Sequence, residues 1–420
     1  MEGFCVRKLG KFSIGIGDRF GHQGEAQLDA LLKAKADGVD IVPVWNKSYR
    51  EHKIINSQPK DTRSEADAAV KKLGYSGDYF VDADHVGMNT VDLFIDSSDF
   101  FTIDVVDFIN KSADEQAIDL FLKQHQKYIG KLEIPNLSQI FEIRPSLLNQ
   151  VAHQYLFAVE EAGRIYQHIL SKKNEQDFVV EISMDETMEP QTPLELLFIL
   201  SAIAQQGIPA QTIAPKFSGR FNKGVDYVGN LEKFTKEFED DLAAIEYAIN
   251  EFNLPSNLKL SVHSGSDKFA IYGPISNALK KFNTGLHLKT AGTTWLEEAI
   301  GLAEAGGDGL LIVKEIYRKA YHRFDELSQP YASVIDINLK KLPLPEQVDT
   351  WDGLQFVSCL RHDRTNELYN LHFRQLFHIG YKIAAEMGTR FLNALEKHRE
   401  IIAKNVTENI YERHIKKVFL

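Results

Sequence analysis

Residues that can bind metals or transfer protons stand at the ends of several apolar segments of this chain. In the segment 79–87 an apolar run gives way to Asp84 and His85, with Gly87 shortly after. A core strand has no packing reason to finish in Asp-His, whereas a strand that ends at the C-terminal mouth of a parallel barrel does, because ligands and metals bind there. The alternative, which this segment leaves open, is that Asp84 caps the next helix and His85 is a half-buried structural histidine.

Other apolar segments end in the same kinds of side chain. The whole set is Asp18, Asp84, His85, Glu181, Asp185, Lys216, His263, Asp267, His287 and Lys289. Three imidazoles and a carboxylate are enough to hold a divalent metal with an open coordination position, so we predict that His85, His263 and His287 are metal ligands. Glu181 or Gln211 in place of His287 stays open. These ligand types do not distinguish Zn, Mn, Ni and Co.

Basic side chains near the same segments are suited to an anionic substrate, because ammonium and guanidinium groups bind carboxylates. The predicted substrate-binding residues are Asp18, Lys216, Lys223, Asp267, Lys289, Arg374 and His378. Arg374, His378 and Lys382 are spaced four residues apart and share one helix face. This stripe has two readings, a solvated basic surface or a helix that reaches over the mouth to hold a carboxylate.

The chain offers eight strand-like segments that can bring these residues together. They cover residues 12–17, 41–45, 79–87, 100–105, 178–185, 208–214, 259–263 and 285–289. Segments with helical periodicity separate most of them. Alternating strands and helices with polar groups at the strand ends predict an α/β fold of the (β/α)₈ TIM type, with the site at the C-terminal mouth.

Three stretches depart from this alternation. Residues 107–175 have helical periodicity without a strand and predict a helical insertion after the fourth strand. Residues 300–420 predict a helical C-terminal extension, and residues 47–70 are charged and patternless, as in a loop or lid. We expect all of this to form a single barrel domain over residues 1–420.

Composition and charge argue against several classes of binding partner. The 420 residues carry a formal net charge of -11 without a long basic block, which argues against nucleic acid and anionic membranes as partners. Cys5 and Cys359 are far apart in sequence and form no disulfide framework. No signal peptide and no apolar run of the ~20 residues needed to span a bilayer is evident. We expect a cytoplasmic protein that acts on a small molecule; homo-oligomerisation stays open.

Two of the strand ends resemble those of class II, metal-dependent aldolases. Asp84-His85-Val86-Gly87 is similar to their Asp-His-Gly, where the aspartate is the acid/base and the histidine binds zinc. His263-Ser264-Gly265-Ser266 is similar to their His-Gly-Gly-Ser-Gly, which supplies another ligand. The remaining zinc histidine of that family has no counterpart around residues 208–217, where Gln211 is the nearest residue able to act as a ligand.

Longer strings resemble the bacterial tagaturonate epimerases over nearly the full length of the chain. The matching stretches are residues 15–20, 180–186, 214–217, 222–229, 261–268, 289–295 and 405–409. The resemblance implies an enzyme of hexuronate catabolism, a metal-assisted isomerase that interconverts D-tagaturonate and D-fructuronate. A class II-type aldolase or an isomerase acting on a related ketose or sugar acid is the alternative, and a barrel that only binds sugar acids is a third.

The implied reaction agrees with aldolase-like motifs. The two hexulosonates differ at a carbon β to the ketone, whose proton the carbonyl does not acidify. Retro-aldol cleavage next to that carbon, with a divalent metal stabilising the enediolate, followed by readdition to the other aldehyde face, gives the epimer. This route needs a group on each side of the substrate to take and return a proton, and we assign Asp84 and Glu181 as that acid/base pair.

Overall fold

The architecture is a closed barrel of eight parallel strands with helices between them, which confirms the predicted TIM-type fold. The structure, a computed structural model, describes residues 7–137, 139–290 and 292–420. In chain order the strands are β1 (Phe12–Ile16), β2 (Ile41–Ser48), β3 (Phe80–Val86), β4 (Phe100–Asp104), β5 (Gly130–Glu133), β6 (Ile140–Ile143), β7 (Val179–Ser183), β8 (Thr212–Ala214), β9 (Lys259–His263) and β10 (Leu286–Lys289). The barrel order is β1-β2-β3-β4-β7-β8-β9-β10, and β10 pairs with β1.

Eighteen α-helices occur in the described part of the chain, and most of the later ones belong to the C-terminal extension. They are α1 (Gly24–Ala36), α2 (Tyr49–Ile55), α3 (Pro59–Leu73), α4 (Glu115–His125), α5 (Pro145–Leu170), α6 (Pro193–Gln205), α7 (Leu231–Phe252), α8 (Phe269–Phe282), α9 (Gly292–Ala305), α10 (Gly307–His322), α11 (Phe324–Ser328), α12 (Pro345–Asp349), α13 (Gly353–Leu360), α14 (Leu371–Ile379), α15 (Tyr381–Glu386), α16 (Thr389–Lys397), α17 (Arg399–Glu408) and α18 (Lys416–Val418). A π-helical segment, Asn409–Ile415, joins α17 to α18. The predicted C-terminal helical extension is therefore confirmed.

Apolar and polar side chains fill different depths of the barrel. A separate buried apolar cluster at the amino-terminal end of the strands consists of Leu9, Val44, Phe80, Phe100 and Val179. Successive side chains of a strand alternate between its faces, so the residues two positions further along share the interior face. These are Asp82 on β3, Thr102 on β4 and Glu181 on β7, all buried. A polar layer thus lies between an apolar floor and the C-terminal mouth.

The insertion after β4 is not wholly helical, so the prediction that residues 107–175 contain no strand is wrong. The strands β5 and β6 pair as an antiparallel hairpin, with Gly130 opposite Ile143 and Glu133 opposite Ile140. Their side chains alternate between more and less exposed, the period-two pattern of a strand. Four-residue strands are too short for this pattern to stand out from the helical periodicity around them.

The prediction of a loop or lid over residues 47–70 is also wrong, because this stretch forms most of α2 and α3. Ser48 and Glu51 make a reciprocal capping box at the start of α2, and Pro59 occupies the first turn of α3. Many charged residues on the solvent-facing sides of these helices obscured their helical periodicity in the sequence. The first turn of α2 reaches the mouth of the barrel.

Some sequence features fall at the margins of the described residues. Cys5 and Ala291 lie outside them, whereas Cys359 is a buried free thiol. Within the part of the chain that the structure describes, no helix combines the length and apolarity needed to cross a membrane.

Candidate active site

A cavity of about 340 Å³ opens at the C-terminal ends of the barrel strands. The barrel contributes Asp84, His85, Asp104, Asp185, His263 and Lys289 to its wall. Neighbouring loops and the C-terminal extension contribute Arg19, Arg50, Glu51, Lys223, Tyr331 and His378. The cavity therefore lies where polar residues were expected to gather.

A strand irregularity aims His85 into this cavity. The pairing of β3 with β4 shifts register between Ala83 and Val86, and His85 within the shift has φ +53°. A non-glycine residue in the left-handed region is strained, and such strain persists where the surrounding structure imposes it. A bulge of this kind redirects a side chain that regular alternation would place on the other face. The His85 Nδ1 lies 2.9 Å from Asp104 Oδ2.

His263, the last residue of β9, lies between two carboxylates. Its Nε2 is 2.8 Å from Glu181 Oε1, and its Nδ1 is 3.1 Å from Asp185 Oδ2. The rings of His85 and His263 approach edge to face, with centroids 5.2 Å apart. Strands β3 and β9 thus deliver two imidazoles to one point of the mouth.

His85, Asp185 and His263 have the geometry of a metal site. One ligand atom from each lies within 4.8 Å of the others. Each histidine has one nitrogen held by a carboxylate, Asp104 or Glu181. The other nitrogen of His263 faces Asp185, itself a member of the group, and that of His85 lies 3.9 Å from Asp84. Metal-binding histidines commonly show this arrangement, in which the carboxylate fixes the ring. The donor set therefore fits a divalent cation that accepts nitrogen and oxygen ligands.

The charges around the two imidazoles also favour a cation. Burial alone would lower the pKa of both, yet Asp84 and Asp104 raise the pKa of His85 to about 10. Asp185 and Glu181 likewise raise the pKa of His263 to about 9, against burial and Lys289. Carboxylates outnumber cations at this point, so each ring holds a proton that a divalent ion would displace.

Lys289 connects the candidate metal site of His85, Asp185 and His263 to the polar layer below it. Its Nζ lies 2.8 Å from Asp82, 2.9 Å from Asp84 and 3.0 Å from Glu181. Burial raises the pKa of Asp82 to about 7, even though Lys289 opposes this effect. For Asp84, burial acts in the same upward direction, but Lys289 and His85 hold its pKa below the ordinary value. At pH 7 Asp84 is therefore a carboxylate.

The two residues of the predicted acid/base pair lie at different depths in the barrel. Asp84 lines the cavity, whereas Glu181 is fully buried in the polar layer. Thr212 donates to Glu181 Oε2 at 2.7 Å, while His263 and Lys289 contact Oε1. The carboxylate of Glu181 is thus surrounded by protein groups.

His287 and Gln211 lie away from the metal cluster. His287 is two residues before Lys289 on β10 and one layer deeper, with its ring 5.3 Å from that of Phe100 and its Nδ1 2.9 Å from Ser13 Oγ. Burial lowers the pKa of His287 to about 3. Gln211 precedes β8, and its side chain contacts the backbone of Arg7 and Leu9 at the floor. Of the residues considered for a third ligand, His287 and Gln211 lie away from His85 and His263, and Glu181 contacts only the Nε2 of His263 from below; Asp185 is the residue that forms a group with both histidines.

The predicted substrate-binding residues separate into several places. Lys223, Lys289 and His378 line the cavity. Lys216 lines an adjoining cavity of about 410 Å³. Asp18 accepts backbone N–H groups of its own turn, including that of Phe20 at 2.9 Å.

Asp267 and Arg374 form a fully buried ion pair of 2.8 Å rather than facing the cavity. His362 and His414 also contact Asp267, at 3.2 Å and 3.0 Å. Despite the cost of burial, Arg374 and the two histidines hold the pKa of Asp267 well below its ordinary value. This network ties the loop after β9 to the C-terminal extension.

Several cavity residues were missed in the sequence. Asp104 is the last residue of its strand, and Asp84 lies two residues before the end of its own, so the same strand-end signal could have found Asp104. Arg50 lies in the first turn of α2 and Tyr331 in the C-terminal extension, with the guanidinium of Arg50 5.3 Å from the Tyr331 ring. These two meet only through tertiary packing, and no local pattern marks either.

Comparisons with known proteins identify the family of this chain and agree with its fold. The model of the tagaturonate epimerase family (UxaE) matches residues 5–418. The chain is 29% identical, over 427 residues, to the tagaturonate/fructuronate epimerase of Thermotoga maritima, covering 98% of this chain and 81% of that protein.

Solved structures with the same fold include two forms of the fructuronate-tagaturonate epimerase from Cohnella laeviribosi. The form with one glycerol bound has a TM-score of 0.79 at 23% identity and covers 99% of this chain and 82% of that chain. The native form has a TM-score of 0.78 at 23% identity, with 99% and 83% covered. Because the family model spans nearly the whole chain, this protein belongs to the tagaturonate epimerase family.

Proposed function

We propose that the protein interconverts D-tagaturonate and D-fructuronate as a metal-dependent epimerase that breaks and re-forms a carbon–carbon bond. The observation that carries the proposal is the pair His85 and His263, each held by a carboxylate through one ring nitrogen and grouped with Asp185. The pair stands at the mouth of a barrel in a chain that belongs to the tagaturonate epimerase family. The relative from Thermotoga maritima is named for this activity.

His85, Asp185 and His263 would hold the metal. When bound, a divalent cation supplies a Lewis acid that polarises the substrate ketone and stabilises the negative charge that develops on cleavage. Asp104 and Glu181 each contact one nitrogen of an imidazole and so fix the orientation of the ring and of its other nitrogen. Both rings must lose a proton for this role.

The position of the inverted carbon favours carbon–carbon cleavage. That carbon is β to the ketone, so direct removal of its proton would yield an unstabilised carbanion. Removal of the proton of its hydroxyl instead lets the bond between the α and β carbons break, with the electron pair moving toward the ketone. The aldehyde formed then turns its other face to the same α carbon, the bond re-forms, and the proton returns to the new alkoxide.

Asp84 is the group we assign to the hydroxyl proton. It lines the cavity beside the metal cluster, and Lys289 keeps its pKa low enough for it to be ionised at neutral pH. Glu181 is surrounded by protein donors below the cavity, so we assign it as a positioning residue for His263. Its assignment as the second acid/base group stays a prediction that the Glu181→Gln variant distinguishes.

Product analysis tests the proposal. The protein is incubated with D-tagaturonate and a divalent metal, and the mixture is resolved by chromatography. D-fructuronate is the expected product. Net accumulation of three-carbon fragments would identify an aldolase instead, and unchanged substrate with each of Zn, Mn, Ni and Co would overturn both assignments.

A further inference from the structure

Positive charge gathers on one side of the cavity wall, around His378. This residue is 2% exposed, and its Nδ1 has no hydrogen-bond partner among the described residues. The cations that act on it are Arg19, Lys223, Arg374 and Lys268. Burial and these cations lower the pKa of His378 well below its ordinary value, so the ring is neutral at pH 7 and can donate one hydrogen bond.

Two of these four cations already have carboxylate partners. The guanidinium of Arg374 pairs with Asp267 at 2.8 Å and is fully buried. Arg19 lies 3.2 Å from Glu51, with its guanidinium stacked over an aromatic ring. The charge of Arg374 is therefore fully engaged. The charge of Arg19 is balanced by Glu51, although its Nε and Nη1 make no hydrogen bond among the described residues.

The other two cations lack such a partner within the described ranges. Lys268 is buried behind the wall, where its Nζ donates to Ser266 Oγ at 2.9 Å, and burial lowers its pKa to about 7. Lys223 is half-buried and lines the cavity directly. Lys223 is therefore the cavity-lining ammonium near His378 whose charge remains available.

Two glycines let the backbone pass close to Lys223 and His378. A Cβ on Gly265, whose φ is +62°, would lie 3.4 Å from Lys223 Nζ. A Cβ on Gly292 would overlap the backbone oxygen of Gly265 and lie 2.8 Å from His378 Cε1. Both glycines line the cavity, and larger residues at these positions would crowd both side chains.

We propose that Lys223 and His378 bind the substrate carboxylate and retain it through the whole reaction. The inference rests on the proposed function, since it places one end of the proposed hexulosonate. A carboxylate there would receive a charge-assisted hydrogen bond from Lys223 and a second hydrogen bond from His378. The ketone end then extends towards the group His85, Asp185 and His263, which lines the same cavity.

This placement explains how an aldol cleavage ends in epimerisation. Cleavage between the α and β carbons leaves the electron pair on the three-carbon ketone fragment, and the β carbon becomes the aldehyde of 2-hydroxy-3-oxopropanoate. That fragment carries the carboxylate. With the carboxylate held, rotation about the single bond next to the aldehyde presents the other face, and the bond re-forms without release. Nothing is oxidised or reduced, and the hydroxyl proton taken by the base is returned.

The test replaces the free ammonium by an isosteric apolar chain, Lys223→Met. We expect KM for D-tagaturonate to rise about 10- to 100-fold, the loss typical of one hydrogen bond to a charged group. We also expect 2-hydroxy-3-oxopropanoate and dihydroxyacetone to escape, detected as their hydrazones, because the fragment is no longer held. Lys223→Arg should restore part of both properties.

Lys382→Met is the matched control. Its ammonium pairs with Glu326 at 2.6 Å on the outside of the molecule, so KM and fragment release should equal those of the wild type. Wild-type KM without fragment release in a folded, metal-loaded Lys223→Met protein would overturn the inference.

Binding of tartronate, a dicarboxylate analogue of the released fragment, separates this inference from the proposed function. Calorimetry should show tartronate binding to the wild type and at least tenfold weaker binding to Lys223→Met, whether or not D-tagaturonate is epimerised. Equal binding by both proteins would reject the anion site alone. Absence of epimerisation by the wild type would reject the proposed function alone.

Discussion

At the scale of single residues, the role of each carboxylate in the site depends on the groups that surround it. Asp104 and Glu181 each hold a histidine, Asp185 forms a group with the two histidines, and Asp84 lines the cavity beside Lys289. Groups of the same type thus take different roles because their neighbours differ. Two substitutions separate these roles.

The first substitution, Asp84→Asn, removes the proposed base while keeping its shape. We expect kcat to fall by about 10²- to 10⁴-fold, the usual effect of losing a positioned acid or base. Circular dichroism and metal analysis should match the wild type, since Asp84 is not in the proposed ligand set. Turnover close to that of the wild type would remove Asp84 from the mechanism.

The second substitution, Glu181→Gln, weakens the contact that orients His263. Loss of such a partner typically lowers metal affinity about 10- to 100-fold, so we expect a weaker metal Kd and activity that excess metal restores. Metal titration followed by activity measurement checks this. A lower kcat with unchanged metal affinity would support Glu181 as the second acid/base group.

At the scale of secondary-structure elements, helix α9 carries a buried carboxylate outside the site. Glu298 is fully buried, and its burial, together with Asp18 and Glu65, raises its pKa well above the ordinary value. A carboxyl whose pKa is higher in the folded than in the unfolded state favours folding fully below the unfolded pKa. That contribution is lost as the pH rises through the folded pKa.

The corresponding variant is Glu298→Gln, which is neutral at every pH. We expect its Tm to exceed that of the wild type at pH 7.5 and the difference to shrink as the pH falls to 4. Thermal unfolding at several pH values measures this. A difference that does not depend on pH would mean that protonation of Glu298 is not the cause.

At the scale of the whole molecule, the barrel mouth assembles from both ends of the chain. Arg19 follows β1, the metal cluster comes from β3, β7 and β9, and Tyr331 and His378 come from the C-terminal extension. A metal bound at the mouth therefore joins strands that are distant in sequence. Because it binds the folded chain, it should stabilise the protein as well as support activity.

Metal removal and return test this expectation. Chelation should abolish activity, and a divalent cation should restore it. Addition of metal at about 100 times its Kd should stabilise the folded state by about 2.7 kcal/mol. For a chain of 420 residues this corresponds to a rise in Tm of about 3 °C. Full activity after chelation, or a Tm that metal leaves unchanged, would contradict the proposed site.

Local sequence determined the barrel and the residue types at its mouth. A strand is long enough to show its apolar pattern, and in a parallel barrel every strand ends at the same rim, so Asp84, His85, His263 and Lys289 could be predicted to meet. Their union in one cavity follows from the closed strand order. The resemblance to tagaturonate epimerases likewise lay in the sequence, and the family match agrees with it.

The tertiary structure alone decided the depth of each side chain and the contacts between distant segments. His287 and Glu181 are polar residues of the kind expected at the C-terminal mouth of a barrel. Strand register instead places them one layer deeper, and register cannot be read from the sequence of a single strand. Arg50 and Tyr331 approach each other because α2 packs near the C-terminal extension. Periodicity reports which face of a strand is buried, whereas relative depth and long-range approach depend on how all the strands close together.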